Sequence, residues 1–347
     1  MLTARWTSYD LDFCFEAVTS RERMKSKRTY FVEVSDSANG KKAYGECALF
    51  RGLSHDDGPF YEECLAAACG DVTASLSSPF ASIRFGFEMA IGALKDDSVF
   101  LKIPSPWAYG EMGIPINGLI WMGDKALMFE RIKEKLALGF HVLKLKIGGI
   151  NLEDEIDLLA YIRSKFSCDS LEIRLDANGS FAPEKALNNI ERLSCFQIHS
   201  IEQPVKAGMS DAMSEICRKS PIKIALDEEL IGLKTAEEKM QILDYINPQY
   251  IILKPTLIGG LRQADEWIEL ATQRNIGWWA TSALESNIGL NAIAQWVAAK
   301  HPKIPQGLGT GQLYKNNVPM PLSVKGDRLF CEGDFDSRFM DKLLWRQ

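Results

Sequence analysis

The chain has 347 residues, 46 % of them hydrophobic and 25 % charged, with a formal net charge of −6. This composition is ordinary for a globular protein and excludes disorder, a collagen-like repeat and a coiled-coil rod. The acidic balance disfavours a nucleic-acid partner, and the apolar runs fall short of the ~20 residues a membrane helix needs, so neither nucleic acid nor membrane is expected as a partner. The length fits two domains, or one large α/β barrel with an appendage. The first residues, MLTARWTSYDLDFCFEAV, show neither a continuous apolar core nor a small-residue cleavage site, so a cytoplasmic protein without a signal peptide is expected.

In chain order, residues 1–110 read as one unit. The stretch TYFVEVSDSANGKKAYGECALF (29–50) alternates apolar and polar residues around Asn39-Gly40, which predicts a β-hairpin with its tip at that pair. Helical patterns follow at about 59–69 and 81–96, and proline-rich KIPSPW (102–107) reads as a linker. From Pro115 onward, short apolar strands alternate with helix-length amphipathic segments. The strands are PINGLIW (115–121), HVLKLKIG (141–148), LEIRLDAN (171–178), IHSIEQPV (198–205), IKIALDEE (222–229), YIILKPTL (250–257), IGWWATSA (276–283) and a short QGLGTG (306–311). Such a run predicts a parallel (β/α) barrel; a doubly wound sheet would use the same units. The tail 323–331 reads as one further strand returning to the N-terminal unit, so the expected division is 1–110, completed by about 320–347, against a barrel of 111–319.

Charges recur late in these strands, where burial makes them costly unless they are paired or metal-bound. Asp176, Glu202, Asp227, Lys254 and Ser282 follow one another at intervals of 26, 25, 27 and 28 residues, so each holds an equivalent place in its βα unit. Side chains two apart in a strand share a face. Lys144 therefore points with Lys146, and Arg174 with Asp176 and Asn178. Asp176, Glu202 and Asp227 converge from three neighbouring strands, and three carboxylates on rigid elements suit a hard cation such as Mg²⁺. Lys146 and Lys254 approach that centre from opposite sides. A metal beside a substrate carboxylate stabilises an enediolate, and a lysine in a cationic, partly desolvated site can act as a base, so the set suits removal of a proton α to a carboxylate by one-base or two-base chemistry. Each acid taken singly reads more often as half of a salt bridge; Lys144 reads also as the partner of Asp176, Asn178 as a strand-ending turn residue, and Ser282 as the cap of the next helix. Trp278 and Trp279 read as packing.

At these positions the sequence resembles the enolase superfamily. The matching pieces are LKLKIGG (143–149), LDANGSF (175–181), IEQPV (201–205), ALDEEL (225–230) and ILKPTLIGGL (252–261). The Lys-x-Lys form resembles the muconate-lactonizing subgroup. GECALFRGLS (45–54), PFASIRFGFEMA (79–90), TSALESNIGL (281–290) and GLGTGQLY (307–314) resemble, within it, the o-succinylbenzoate synthase family. The resemblance implies an α+β capping domain over a modified TIM barrel, (β/α)7β, with an essential Mg²⁺ (Mn²⁺ a possible substitute) on Asp176, Glu202 and Asp227. It further implies Lys146 as base and then acid, Lys254 as a positive group facing the enediolate, and Lys144, Asn178, Arg174 and Ser282 as supporting or substrate residues. Positions 10–25 and 45–54 would cover a small carboxylate substrate, with Arg51 the candidate for its second carboxylate. The implied reaction is a syn dehydration giving o-succinylbenzoate, a step of menaquinone synthesis. The alternative is an N-acyl amino acid racemase or dipeptide epimerase of the same superfamily. Dipeptide epimerases usually carry an Asp-x-Asp near the eighth strand, and no acidic residue occurs from 302 to 326.

The eight cysteines form no CxxC pair and the four histidines are scattered, so buried free thiols are expected and zinc is not. The oligomeric state is not legible.

Overall fold

A computed structural model describes residues 1–18 and 23–346. The chain opens with a three-stranded antiparallel sheet, β1 (Leu2–Val18), β2 (Arg23–Asp36) and β3 (Lys41–Cys47), in the order β1-β2-β3. The β2–β3 turn falls where Asn39-Gly40 predicted it, because Gly40 takes φ +70° at no steric cost and its N–H reaches the Asp36 carbonyl at 2.8 Å. Helices α1 (Tyr61–Gly70) and α2 (Ala81–Lys95) pack on this sheet through a separate apolar cluster that includes Tyr30, Val32, Leu65, Ile83 and Phe87.

The contact of α2 with β3 is unusually close. A Cβ on Gly45 would lie 1.9 Å from the Gly86 carbonyl oxygen, and one on Gly86 would lie 2.3 Å from the Cys47 sulfur. Both backbones must move to admit a methyl group. Gly45→Ala is therefore expected to destabilise the protein by about 3 kcal/mol, read as a lower urea midpoint at unchanged slope; a shift under a third of that would mean the sheet and helix separate freely.

The barrel follows: β4 (Ile114–Pro115), β5 (Gly118–Ile120), α3 (Lys125–Ala137), β6 (Val142–Lys146), α4 (Leu152–Lys165), β7 (Glu172–Asp176), α5 (Pro183–Ser194), β8 (Ser200–Glu202), α6 (Ser210–Lys219), β9 (Lys223–Leu226), α7 (Ala236–Ile246), β10 (Tyr250–Leu253), α8 (Pro255–Ile258), α9 (Leu261–Thr272), β11 (Gly277–Ala280) and α10 (Asn287–Ala298). Strands β5 to β11 form one seven-stranded parallel sheet in chain order. Single parallel bridges from Ile116 to Gln306 and from Thr281 to Gly307 join its two edges, so the expected eighth strand closes the ring with two residues. Helix starts are locally encoded. Asp124 and Asn151 accept the N–H of Leu127 and Asp154, and Thr235 with Glu238 forms a capping box on α7.

The C-terminal reading is corrected in one respect. The run 323–331 is two strands, β12 (Leu322–Lys325) and β13 (Arg328–Cys331), divided by Gly326 at φ +57°. β13 pairs with β4 beside the barrel, and the bridges to the first sheet lie on either side of it in the chain, Tyr314 to Phe13 and Arg346 to Trp6. The cysteine expectation is also corrected. All eight are free, but Cys14 and Cys195 are exposed and only Cys47, Cys69, Cys217 and Cys331 are buried. Cys14 falls on the outward face of an alternating strand and Cys195 at a helix end, so an apolar neighbourhood in sequence did not place them inside. Among the described residues, no helix is long and apolar enough to cross a membrane.

Candidate active site

Register brings the polar strand residues to one level. Lys146 pairs with Asp176, Asp176 with Glu202, and Lys144 with Arg174. Asp227 and Lys254 follow directly after β9 and β10, at the same end of the barrel. A cavity of about 90 Å³ there is lined by Lys144, Lys146, Asp176, Asn178, Lys254 and Ser282, among others. Its apolar wall comes partly from the first unit (Phe50, Leu53) and partly from the barrel (Leu119, Trp121, Ala283, Leu284). A wider funnel of about 1140 Å³ adjoins it, sharing Asn178 and Glu228.

The charges inside are closely interlocked. Lys144 Nζ lies 2.9 Å from Asp176 Oδ2 and 2.6 Å from Glu202 Oε2. Lys146 Nζ donates to Asp176 Oδ2 at 3.2 Å and to Asn178 Oδ1 at 2.7 Å. Lys254 Nζ donates to Asp227 Oδ2. Burial opposes the charge on Lys254, but Asp227, Glu228 and Glu202 outweigh it and hold the ammonium up to about 12. Burial likewise opposes charge on Asp176, yet Lys144, Lys146 and Lys254 hold its carboxyl well below the usual range. Glu202 moves the other way, pushed up first by burial and then by the charge of Asp176, with Asp227 adding to it.

Among the described residues no three acidic, histidine or cysteine side chains already stand together as a metal cluster. Lys144 occupies the space between Asp176 and Glu202, and Lys254 draws Asp227 to itself. The donor set nevertheless fits a hard divalent cation. Asp176, Glu202 and Asp227 are all oxygen donors, each at most 2 % exposed, and they repel one another.

The other predicted residues divide. Asn178 is in the site, with its Nδ2 donating to Glu228 Oε1 at 3.1 Å and its N–H to Asp176 Oδ1. Ser282 lines the cavity, and its hydroxyl accepts the Leu284 N–H at 2.9 Å. The cap of α10 is Ser286 instead. Arg174 is not at the cavity. It lies a layer deeper, donating to Glu172 and to the Pro305 carbonyl with its guanidinium 4.5 Å from the centre of the Trp279 ring. Arg51 is also elsewhere, half exposed and paired with Asp57 at 2.5 Å. Of the covering segment expected at 10–25, residues 19–22 lie outside the described residues.

Four contributors were missed. Trp121 sets its ring 5.7 Å from Lys146 Nζ. Gln203 is fully buried at φ +40°, and its Oε1 accepts the Asp227 N–H at 3.1 Å. Glu228 was signalled only by being next to Asp227. The fourth, Glu155, sits beneath the loop after Lys146 and accepts the Gly148 N–H at 2.5 Å.

Burial pushes Glu155 up from the ordinary 4.5 to about 7, against the pull of the Gly148 and Ile150 N–H groups. Because the folded state binds this proton more tightly, the resulting stability is complete below pH 4.5 and lost as pH rises through about 7. Glu155→Gln keeps an acceptor and does not titrate. Against this variant, the wild type is expected to lose about 3 kcal/mol of stability across that window. Urea unfolding at several pH values measures it, and parallel curves would refute the assignment.

A closed parallel barrel with acids and lysines at the carboxyl ends of its strands is the architecture of the enolase C-terminal domain-like family, which matches residues 128–328. The chain belongs to this enolase superfamily of enzymes and, within it, to the o-succinylbenzoate synthase family. It is 45 % identical to the o-succinylbenzoate synthase of Desulfotalea psychrophila, covering 92 % of this chain and 96 % of that one. The crystal structure of MenC from D. psychrophila superposes with a TM-score of 0.79 at 42 % identity, covering 95 % of this chain and 99 % of that one. A dipeptide epimerase from Cytophaga hutchinsonii, complexed with Mg and D-Ala-L-Val, shares the fold at TM-score 0.82 and 18 % identity, covering 99 % of each chain.

Proposed function

We propose that this protein is a cytoplasmic hydro-lyase that dehydrates 2-succinyl-6-hydroxy-2,4-cyclohexadiene-1-carboxylate to o-succinylbenzoate, in the manner of the D. psychrophila relative's name, as a step of menaquinone synthesis. Residues 1–110, completed by 320–347, act as the capping domain over a catalytic barrel of 111–319. The observation that carries this reading is the placement of Lys146 and Lys254 on one small cavity, from strands separated by three others. Its aromatic and aliphatic wall suits a carbocyclic ring, and its cations suit a carboxylate.

Asp176, Glu202 and Asp227 would hold Mg²⁺, with Mn²⁺ a substitute. Bound there, the cation supplies positive charge to the substrate carboxylate and lowers the cost of its developing negative charge. Lys146 takes the proton from C1. The freed electron pair moves onto the carboxylate, facing the fixed ammonium of Lys254, and then forms the C1–C6 double bond as the C6–O bond breaks. Lys146 returns its proton to the departing hydroxyl on the same face, so water leaves and the ring becomes aromatic. Asn178 orients Lys146, Lys144 bridges Asp176 and Glu202 and offsets their mutual repulsion, and Gln203 fixes the backbone of Asp227.

The test is the ultraviolet signal of the diene with Mg²⁺ and with EDTA. Rapid, metal-dependent loss supports the dehydratase. No loss from a folded, Mg²⁺-loaded protein would move the assignment to racemisation or epimerisation, where exchange of an N-acyl amino acid or dipeptide α proton into D₂O is the readout.

A further inference from the structure

Lys27 is used by nothing described so far. It lies on β2, 6 % exposed, and among the described residues its Nζ has no hydrogen-bond partner. It stands 5.9 Å from the centre of the Phe50 ring, which walls the catalytic cavity. Burial opposes its charge and pushes the ammonium below its ordinary value, and Glu46 and Glu285 are the charges that favour it. Glu46 is fully engaged elsewhere. It accepts the Thr29 hydroxyl at 2.7 Å, the Ser286 N–H at 2.8 Å, the Ser286 hydroxyl at 2.6 Å and the Gly289 N–H at 2.9 Å, tying the first sheet to the start of α10. Glu285 is fully buried on the barrel side, and its Oε1 also lacks a partner among the described residues. A buried ammonium with no hydrogen bond and a buried carboxylate with one open oxygen thus lie within each other's field, one on each unit.

Glu285 is attached to the cavity wall. Its Oε2 accepts the Ala283 N–H at 2.8 Å. The next residue, Leu284, has φ +63°, a costly conformation for a bulky side chain that persists only when its surroundings enforce it. The Ser282 hydroxyl holds the Leu284 N–H, and the Tyr314 hydroxyl holds its carbonyl at 2.8 Å. Ala283 and Leu284 both line the catalytic cavity.

We propose that Lys27 is a positioning residue that acts through Glu285 to hold the strained Ala283–Leu284 wall against the substrate. The charge sits on the capping unit, the strained backbone on the barrel, and the pair couples the seating of one on the other to the shape of the cavity. Loss of the attraction frees the wall without touching the lysines or carboxylates that do the chemistry, so binding suffers more than turnover.

The kinetic arm rests on the dehydratase reading; the exchange arm does not. Lys27→Met alone leaves the Glu285 charge buried and uncompensated, so it can unfold the protein. The decisive variant is therefore Lys27→Met with Glu285→Gln, which removes both charges and keeps their volume. Expected for the double variant are a melting temperature at or above wild type, amide exchange across 283–286 about tenfold faster, and KM for the diene acid about tenfold higher with kcat within about threefold. Wild-type exchange and KM in a double variant that melts normally would overturn the proposal, because the pair would then be packing alone. Wild-type protein that does not consume the diene would remove the dehydratase reading, and the exchange rates would still decide the role of Lys27.

Discussion

Lys146→Ala is expected to reduce turnover of the cyclohexadiene carboxylate by about 10⁴-fold or more, the upper end of what a single general acid–base group supplies, since the proposed mechanism uses Lys146 in both proton steps. The same variant is expected to melt within a few degrees of wild type. Truncating a buried ion-pair partner usually costs several kcal/mol because a charge is stranded. Here Asp176 retains Lys144 at 2.9 Å, and Asn178 retains its bonds to Glu228 and to the Asp176 carboxylate. Lys146 is also the more accessible member of the pair, its side chain 15 % exposed against 8 % for Lys144. Catalysis and stability therefore separate at this position. Ultraviolet rates and thermal melts on one preparation measure both, and retained turnover would remove Lys146 as the base.

The barrel was legible because each of its strands is a short buried run whose one polar face recurs at a near-constant interval. That interval located Asp176, Glu202, Asp227 and Lys254 before any coordinates. Alternation gives the face of a strand residue but not its depth in the barrel. Arg174 shares the inward face of Asp176 and yet sits a layer lower, against Trp279 and the Pro305 carbonyl, so parity alone misassigned it. Phe50 and Leu53 fall in the 45–54 segment that the resemblance set over the substrate, and both line the cavity. Lys27 carried no such signal, because its meaning comes from the first unit settling on the barrel more than 200 residues later in the chain, where Glu285 and Leu284 stand. Gln203 was hidden for a different reason. Its left-handed backbone and its bond to the Asp227 N–H are local geometry that the letters IEQPV do not declare.

Glu202→Gln is expected to move stability and function in opposite directions. In the metal-free protein Glu202 is buried beside Asp176 and within the field of Asp227, and burial together with these like charges raises its affinity for a proton. An amide at that position keeps the shape and removes the repulsion, at the cost of part of its attraction to Lys144. Since Lys144 keeps Asp176, no cation is stranded, and the metal-free variant is expected to melt at or above the wild type near neutral pH. A cation held as proposed would reverse the ranking. At a free Mg²⁺ concentration of about 100 times its Kd, the wild type gains about 2.7 kcal/mol from binding, whereas a site that has lost one of three anionic donors gains far less. Turnover is expected to fall by about 10³-fold or more, the scale of several kcal/mol of charge stabilisation withdrawn from the substrate carboxylate. Melting curves with EDTA and with Mg²⁺, taken beside diene consumption, decide the matter. If the variant gains as much stability from Mg²⁺ as the wild type, Glu202 is not a ligand. If the metal-free variant melts well below the wild type, the Lys144–Glu202 pair outweighs the crowding of the three carboxylates. On the proposed assignment, these three strands carry a site that stores repulsion for a cation to relieve, at a small expense in the stability of the metal-free protein.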